Sequence, residues 1–161
     1  MLIKDQTLLT ARVMAQHRGK YRVITAENEF WAEITGKMMH NASSGVDYPV
    51  VGDLVKITPL EDDHAVIQEI LPRKTVLQRK AAGKDEIQVI AANIDAAFVV
   101  QAVDRDFNLN RFERYLTIIY AGKIKPIFVL NKIDLISAAE LEEKVTQVAE
   151  RFKNIDILTT T

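Results

Sequence analysis

The chain has 161 residues, enough for one ordinary domain or two small ones. With 48% hydrophobic residues, 27% charged residues and no cysteine, its composition is that of a globular protein and excludes a disordered chain, a disulfide scaffold and thiolate-bound zinc within these residues. The net charge of −1 argues neither for nor against binding to nucleic acid. The sequence has no apolar run of membrane-spanning length and no secretory leader, so we expect a cytoplasmic protein with no membrane partner.

The first seventy residues show the alternation of apolar and polar side chains that is typical of short strands. We expect five strands, and closing them into a small barrel would remove their exposed edges. Such a barrel fits an OB-fold, but an SH3-like barrel stays open because the number of strands does not separate the two. The longer connection from Gly36 to Pro49 contains Asn, Ser and Gly and is expected to be a mobile loop.

A basic stretch follows the predicted barrel. No acidic residue occurs between Leu71 and Lys84, and Pro72 with its neighbouring cations indicates an exposed linker over residues 71–88. The apolar run from Ala97 to Val103 then predicts a strand that is buried on both faces.

The rest of the chain alternates helices with strands. A helix is predicted from Leu109 to Ala121, with Asn108 as its N-cap and Gly122 as the residue just past its end. A second helix is predicted to begin at Ser137, where Glu140 completes a capping box. Together with predicted strands at 126–130 and 155–158, this order is typical of a parallel α/β sheet.

The residues that carry chemistry directly follow the strand at 126–130. Asn131-Lys132-Ile133-Asp134 is the N-K-x-D pattern that recognises guanine. Guanine presents two adjacent donors, N1–H and the N2 amino group, and a carboxylate accepts both in a bidentate fork, which is the role we assign to Asp134. Asn131 is placed near the O6/N7 edge, and Lys132 near the base plane and the ribose. An ordinary β-to-α loop is the competing interpretation, because Asn and Asp are common turn residues.

The sequence has no phosphate-binding motif of a GTPase. Neither G-x-x-x-x-G-K-[ST] nor D-x-x-G occurs, although the chain contains four Gly-Lys pairs. In ordinary G domains these motifs precede the guanine motif. Either the N-K-x-D match is therefore a coincidence, or the domain is circularly permuted and its phosphate-binding half lies beyond Thr161.

Segments along nearly the whole chain resemble the ribosome small-subunit-dependent GTPase A family. Their order is more specific than any one of them. They are Pro49–Asp53, Leu71–Lys74, Leu77, Arg79-Lys80, Gln88–Asp95, Asp106–Asn110, Arg114–Leu116 and Val129–Leu135. The resemblance implies an N-terminal OB-fold, a circularly permuted G domain that begins with its guanine motif, and a C-terminal zinc-binding domain.

The resemblance also implies how the chain is divided and what it does. It implies an all-β OB-fold barrel at 1–70, the basic linker at 71–88, and a partial α/β permuted G domain with a parallel sheet at 89–161. The full-length member would be a monomeric GTP hydrolase that acts late in maturation of the small ribosomal subunit. GTP is its implied ligand, whereas Mg²⁺ and Zn²⁺ are implied only for the part beyond Thr161, so this chain alone is expected to be inactive.

Ribosomal RNA is the partner that the resemblance implies for the barrel. OB-folds bind through their second and third strands, and Trp31 is the expected stacking platform, because alternation puts Phe30 in the core. His17, His40 and His64 show no metal-ligand spacing. A solvated surface is the competing interpretation for the basic residues of the barrel. The candidate phosphate contacts are Arg12, Arg18, Lys20, Arg22 and Lys37.

Two other functions fit the same residues. The chain would be a stand-alone RNA-binding module if the α/β half is only structural. It would be a protein-interaction barrel if it docks on a ribosomal protein. RNA affinity measured against salt, and competition by RNA, distinguish these alternatives.

Overall fold

A computed structural model describes residues 8–81, 83 and 85–161 of the chain. The chain divides into two compact units, with the boundary between Ile94 and Asp95. Residues 1–7 of the predicted barrel domain and Lys84 of the predicted linker lie outside the described residues. Within the described ranges, no helix combines the length and the apolar character that a membrane span requires.

The first unit contains a closed five-stranded barrel with the strand order β1-β2-β3-β5-β4. β3 and β5 run parallel, and the other neighbouring pairs are antiparallel. This Greek-key closure is that of an OB-fold, so the predicted fold is confirmed and the SH3-like alternative is excluded. The strands are β1 (Leu9–His17), β2 (Lys20–Ile24), β3 (Glu29–Ile34), β4 (Leu54–Pro59) and β5 (His64–Ile70).

Alternate residues of each strand fill the barrel. Val13, Val23 and Ile57 are fully buried, and each contributes about 1.5–3 kcal/mol relative to an exposed side chain. Burial also raises the pKa of the Tyr21 phenol, with a smaller contribution from Tyr48. Phe30 is in this core while Trp31 points outward, which confirms the predicted alternation.

The connection between β3 and β4, expected as a mobile loop, forms two short helices. They are α1 (Gly36–Asn41) and a 3-10 helix at Gly45–Asp47. The Asp47 carboxylate accepts hydrogen bonds from the backbone N–H groups of Ser43 (2.9 Å) and Ser44 (3.0 Å), which lower its pKa. Ser44 therefore acts here as a helix N-cap, with Asp47 completing its capping box, whereas the prediction treated the serines as loop formers.

A β-hairpin occupies much of the predicted basic linker. β6 (Val76–Lys80) pairs antiparallel with β7 (Ile87–Ala92), so residues 71–88 include all of β6 and the start of β7. The buried side chains of Val89 and Ala92 pack with Val50 of the loop before β4. The cations of residues 71–84 suggested an exposed linker, although the apolar residues of β7 that follow them pack with Val50.

The loop before β4 is held by a buried ion pair that the sequence did not indicate. Asp53 is fully buried, and its carboxylate accepts two hydrogen bonds of 2.8 Å from the Arg73 guanidinium. Arg73 also donates to the carbonyl groups of Val46 (2.9 Å) and Tyr48 (3.0 Å). Every charge of the pair is therefore hydrogen-bonded, the condition under which a buried pair is tolerated.

The second unit is the predicted parallel α/β sheet, with the order β10-β9-β8. Asn108 caps α2 as predicted, since its side chain accepts from the Asn110 N–H at 2.9 Å. Gly122 directly follows α2 as predicted, but it is right-handed, and the left-handed C′ conformation expected of it is taken by Lys123, with φ 59°. The elements are β8 (Ala96–Ala102), α2 (Leu109–Ala121), β9 (Lys125–Asn131), α3 (Ala138–Arg151) and β10 (Asp156–Thr159).

Both helices of this unit pack on one face of the sheet. The ring of Phe128 on β9 lies 4.2 Å from Phe112 of α2 and 5.3 Å from Phe152, which caps α3, measured between centroids. On the opposite face, Phe98 of β8 is 64% exposed and Val100 is 54% exposed. The prediction that this strand is buried on both faces was therefore wrong, because an apolar run does not reveal whether a second layer covers it.

Candidate functional site

The loop after β9 brings the three predicted guanine-binding residues together. Asn131 ends β9, Lys132 is left-handed (φ 64°, ψ 40°), and Asp134 lies in a one-turn 3-10 helix at Ile133–Leu135. The Asn131 side-chain oxygen accepts a 2.8 Å hydrogen bond from the Lys132 N–H. This bond helps to hold Lys132 in the left-handed conformation, which costs a non-glycine residue about 1–2 kcal/mol. Backbone strain of this kind concentrates at functional sites.

Backbone hydrogen bonds fix this loop to the carboxyl ends of both neighbouring strands. The Val103 N–H, just after β8, donates to the Asn131 carbonyl at 3.0 Å. On the other side, the Ile133 N–H donates to the Thr160 carbonyl at 3.3 Å, and the Thr160 N–H donates to Leu130 at 2.9 Å. The loop therefore lies at the sheet edge where parallel α/β folds bind ligands.

The Asp134 carboxylate is available for a ligand. The residue is exposed, and no hydrogen bond or ion pair within the described part of the chain engages its side chain. Because one turn of helix holds its backbone at the edge of the sheet, the carboxylate is displayed there without a protein partner. A ligand with two adjacent N–H donors would satisfy both of its oxygens.

Asp104, which sequence reasoning missed, also belongs to this edge of the sheet. Its Oδ2 lies 3.9 Å from the Lys132 Nζ, and its Oδ1 accepts a 3.2 Å hydrogen bond from the Asp106 N–H. Asp104 thereby draws the ammonium group of Lys132 toward β8. The signal that could have found it is its position two residues after the last residue of β8, the strand beside β9.

The predicted capping box at the start of α3 is present and ends the loop. The Ser137 N–H donates to the Glu140 carboxylate at 2.8 Å, and the Glu140 N–H donates to the Ser137 hydroxyl at 3.3 Å. The backbone N–H of Ser137, followed by its hydroxyl, holds the pKa of the Glu140 carboxyl below its ordinary value. The cap residue Ser137 lies three residues after Asp134, and α3 begins at the next residue, Ala138.

This cap predicts an acid-dependent loss of stability. Because the pKa of Glu140 is lower in the folded state than in the unfolded state, its stabilising effect is complete above the unfolded pKa and disappears as pH falls through the folded value. Glu140→Ala should therefore lower the free energy of unfolding at pH 7 and have a smaller effect in acid. Urea unfolding followed by circular dichroism at both pH values measures this difference.

Ser137→Ala is the matched variant: it removes the hydroxyl that accepts from the Glu140 N–H and donates to the Glu140 carboxylate, while the Ser137 N–H still donates to that carboxylate. It should destabilise the unit by about 1 kcal/mol at neutral pH, and its effect should also become smaller in acid. An effect of Glu140→Ala that is equal at both pH values would contradict the assignment.

The basic residues predicted to contact RNA differ in whether other groups of the protein already pair with them. Lys20 lies 3.3 Å from Glu33, and Arg22 forms an ion pair with Glu29. Arg12 donates a 3.1 Å hydrogen bond to the Gly52 carbonyl.

The other two predicted cations are exposed and lack a carboxylate partner in the part of the chain that the structure describes. Arg18, in the β1–β2 turn, and Lys37, on α1, form no ion pair within the described ranges. These two are therefore the cations of the predicted set that are most accessible to phosphate.

Comparisons with known proteins agree with this architecture. A protein-family model described as RsgA GTPase matches residues 70–161. The small ribosomal subunit biogenesis GTPase RsgA 2 of Lactiplantibacillus plantarum is 39% identical over 149 residues, which are 92% of this chain and 42% of that protein. RsgA 1 of Bacteroides thetaiotaomicron is 35% identical over 143 residues, 88% of this chain and 40% of that protein. The chain thus spans about two fifths of the length of the curated relatives it matches.

Two solved structures share the fold. YloQ, described as a circularly permuted GTPase, superposes with a TM-score of 0.69 at 24% identity, covering 100% of this chain and 54% of that one. YjeQ from Thermotoga maritima superposes with a TM-score of 0.72 at 22% identity, covering 96% of this chain and 52% of that one. Both structures therefore share the fold of this chain, a five-stranded barrel followed by a parallel α/β unit.

Proposed function

The chain belongs to the RsgA GTPase family, and from this membership we propose that it is the N-terminal part of a cytoplasmic, monomeric, ribosome-associated GTPase that acts late in small-subunit assembly. The observation that carries the proposal is the position of Asn131, Lys132 and Asp134 at the carboxyl edge of the sheet. The relatives bear the name small ribosomal subunit biogenesis GTPase, which supports the same partner for this chain.

In this proposal the loop after β9 recognises the guanine base of GTP. Asp134 accepts the N1–H and N2 amino donors, which adenine cannot offer together. Asn131 braces the loop through its hydrogen bond to the Lys132 N–H and faces the O6/N7 edge of the base. Lys132 lays its aliphatic stem along the base plane, with its ammonium directed toward the ribose.

The chain supplies only the base-recognition half of the nucleotide site. Its sequence has no phosphate-binding loop, so we propose that it does not hydrolyse GTP alone. The Mg²⁺ and Zn²⁺ implied by the family are assigned to the remainder of such a protein, because this chain has no cysteine and no loop for nucleotide phosphates. The proposed division is an RNA-binding barrel at 1–70, a basic linker at 71–88 and a partial permuted GTPase domain at 89–161. The hairpin of β6 and β7, which belongs to the first compact unit, crosses the last of these boundaries.

The direct test is binding of the purified chain to isolated ribosomal subunits. We expect the chain to sediment with small subunits and not with large ones, and free ribosomal RNA to compete. Binding that RNA does not compete would favour a barrel that docks on a ribosomal protein. Binding to neither subunit would contradict the proposal.

Neutralising Arg18 and Lys37 should weaken this interaction in a salt-dependent way. Each phosphate contact that is lost should reduce the slope of log affinity against log salt by about 0.7 to 0.9, because fewer counterions are released on binding. The double variant Arg18→Gln/Lys37→Gln is compared with the original chain between low and physiological salt. Lys153→Gln, an exposed lysine of the second unit, is the control and should leave the slope unchanged.

A further inference from the structure

The outer face of β2 and β3 carries one exposed aromatic ring with polar neighbours. Trp31 is 42% exposed, and the strand register places it between Arg22 on β2 and His64 on β5. The His17 ring lies 5.7 Å from the indole between centroids, and the Arg22 guanidinium carbon lies 5.9 Å from the indole centroid. The indole is therefore held in place by its neighbours and still open to solvent.

The charges around this ring cancel. Lys20 and Arg22 project from β2, and each is paired with a carboxylate of β3, Glu33 and Glu29 respectively. Across the indole, the cation–π contact with Arg22 involves a guanidinium that is already neutralised by Glu29. The face therefore offers an aromatic surface with little attraction for phosphate.

An exposed aromatic ring surrounded by paired charges favours one kind of RNA over another. Duplex RNA keeps its bases stacked inside the helix and is bound mainly through phosphates and 2′-hydroxyls. Unpaired bases can splay out and stack on aromatic side chains, a contact that depends little on charge. An exposed indole among neutralised cations suits the second kind.

We propose that the outer face of β2 and β3 binds single-stranded RNA by stacking an unpaired base on Trp31. The inference rests on the proposed function, in which the barrel binds ribosomal RNA, and it specifies the class of RNA. Arg18 directly follows His17, whose ring lies beside the indole, and it forms no ion pair within the described ranges, so it is the cation that contacts the RNA backbone beside the stacked base.

Trp31 is the only tryptophan of the chain, so its fluorescence reports directly on this face. The probes are an eight-nucleotide unstructured RNA and a blunt RNA duplex of the same length. We expect the single strand to quench Trp31 fluorescence and to bind more tightly than the duplex. Trp31→Ala should weaken single-strand binding about 5- to 150-fold, measured by anisotropy of labelled RNA, and Trp31→Phe should restore most of it.

A second variant tests the charge argument without removing the ring. Glu29→Gln/Glu33→Gln frees Arg22 and Lys20, so duplex binding should strengthen and its salt slope should steepen by about 0.7 to 0.9 per new contact. The inference would be overturned if the original chain binds duplex as tightly as single-stranded RNA and Trp31→Ala loses no affinity for the single strand. RNA binding by the barrel would itself remain intact in that case. Failure of the chain to bind small subunits or any RNA would instead overturn the proposed function.

Discussion

Replacing Asp134 by Asn is expected to change the preferred base from guanine to xanthine. Asparagine presents one acceptor and one donor where aspartate presents two acceptors, so it no longer matches guanine N1–H and the N2 amino group. Xanthine has a carbonyl at position 2 and restores the match. The ratio of affinities for the two nucleotides should shift by about 10⁴-fold, the scale at which hydrogen-bonding sites discriminate.

The measurement requires the chain joined to a phosphate-binding half, because base contacts alone supply only part of nucleotide affinity. Competition between GTP and xanthosine triphosphate for a labelled nucleotide then gives the ratio directly. Asp156→Asn is the matched control, since this exposed carboxylate pairs with Lys125 at the opposite, amino end of the same sheet. If Asp134→Asn keeps the GTP preference of the original protein, the role assigned to Asp134 is wrong.

Local sequence patterns were sufficient for the elements that position this site. The predicted bounds of α2, Leu109 to Ala121, match the structure, because an apolar stripe and an asparagine cap specify a helix within one segment. The capping box at Ser137 was equally visible, since its two partners lie three residues apart. The N-K-x-D loop followed because its strand and its helix could both be recognised nearby.

Features that depend on residues distant in sequence could not be predicted in this way. Asp104 and Lys132 are brought together only because β8 and β9 are neighbours in the sheet. Asp53 and Arg73, twenty residues apart, form a buried pair whose cation looked like part of an exposed basic linker. The exposed face of β8 is a third example, because the apolar character of a strand does not specify what covers it.

Gly52 is another position where distant segments meet, and Gly52→Ala is expected to be the most destabilising small substitution in the first unit. Its φ is +90°, and an added Cβ would lie 1.9 Å from the Ala92 carbonyl oxygen. The backbone of β7 would have to move, although the Ala92 N–H already donates to Val51 at 2.9 Å and the Asn93 side chain donates to the Gly52 carbonyl at 3.2 Å. Left-handed strain and overpacking together predict a loss of about 2 to 5 kcal/mol.

Gly19 separates these two causes, because it has nearly the same φ, +86°, and open space around its Cβ position. Gly19→Ala should therefore cost only the backbone contribution, about 1–2 kcal/mol. Urea unfolding followed through the fluorescence of Trp31, which lies in the barrel, measures both variants with the same probe. Equal destabilisation by the two substitutions would mean that the close approach of β7 to Gly52 adds nothing. A larger loss for Gly52→Ala would show that the hairpin packs firmly against the loop that Arg73 and Asp53 hold in place.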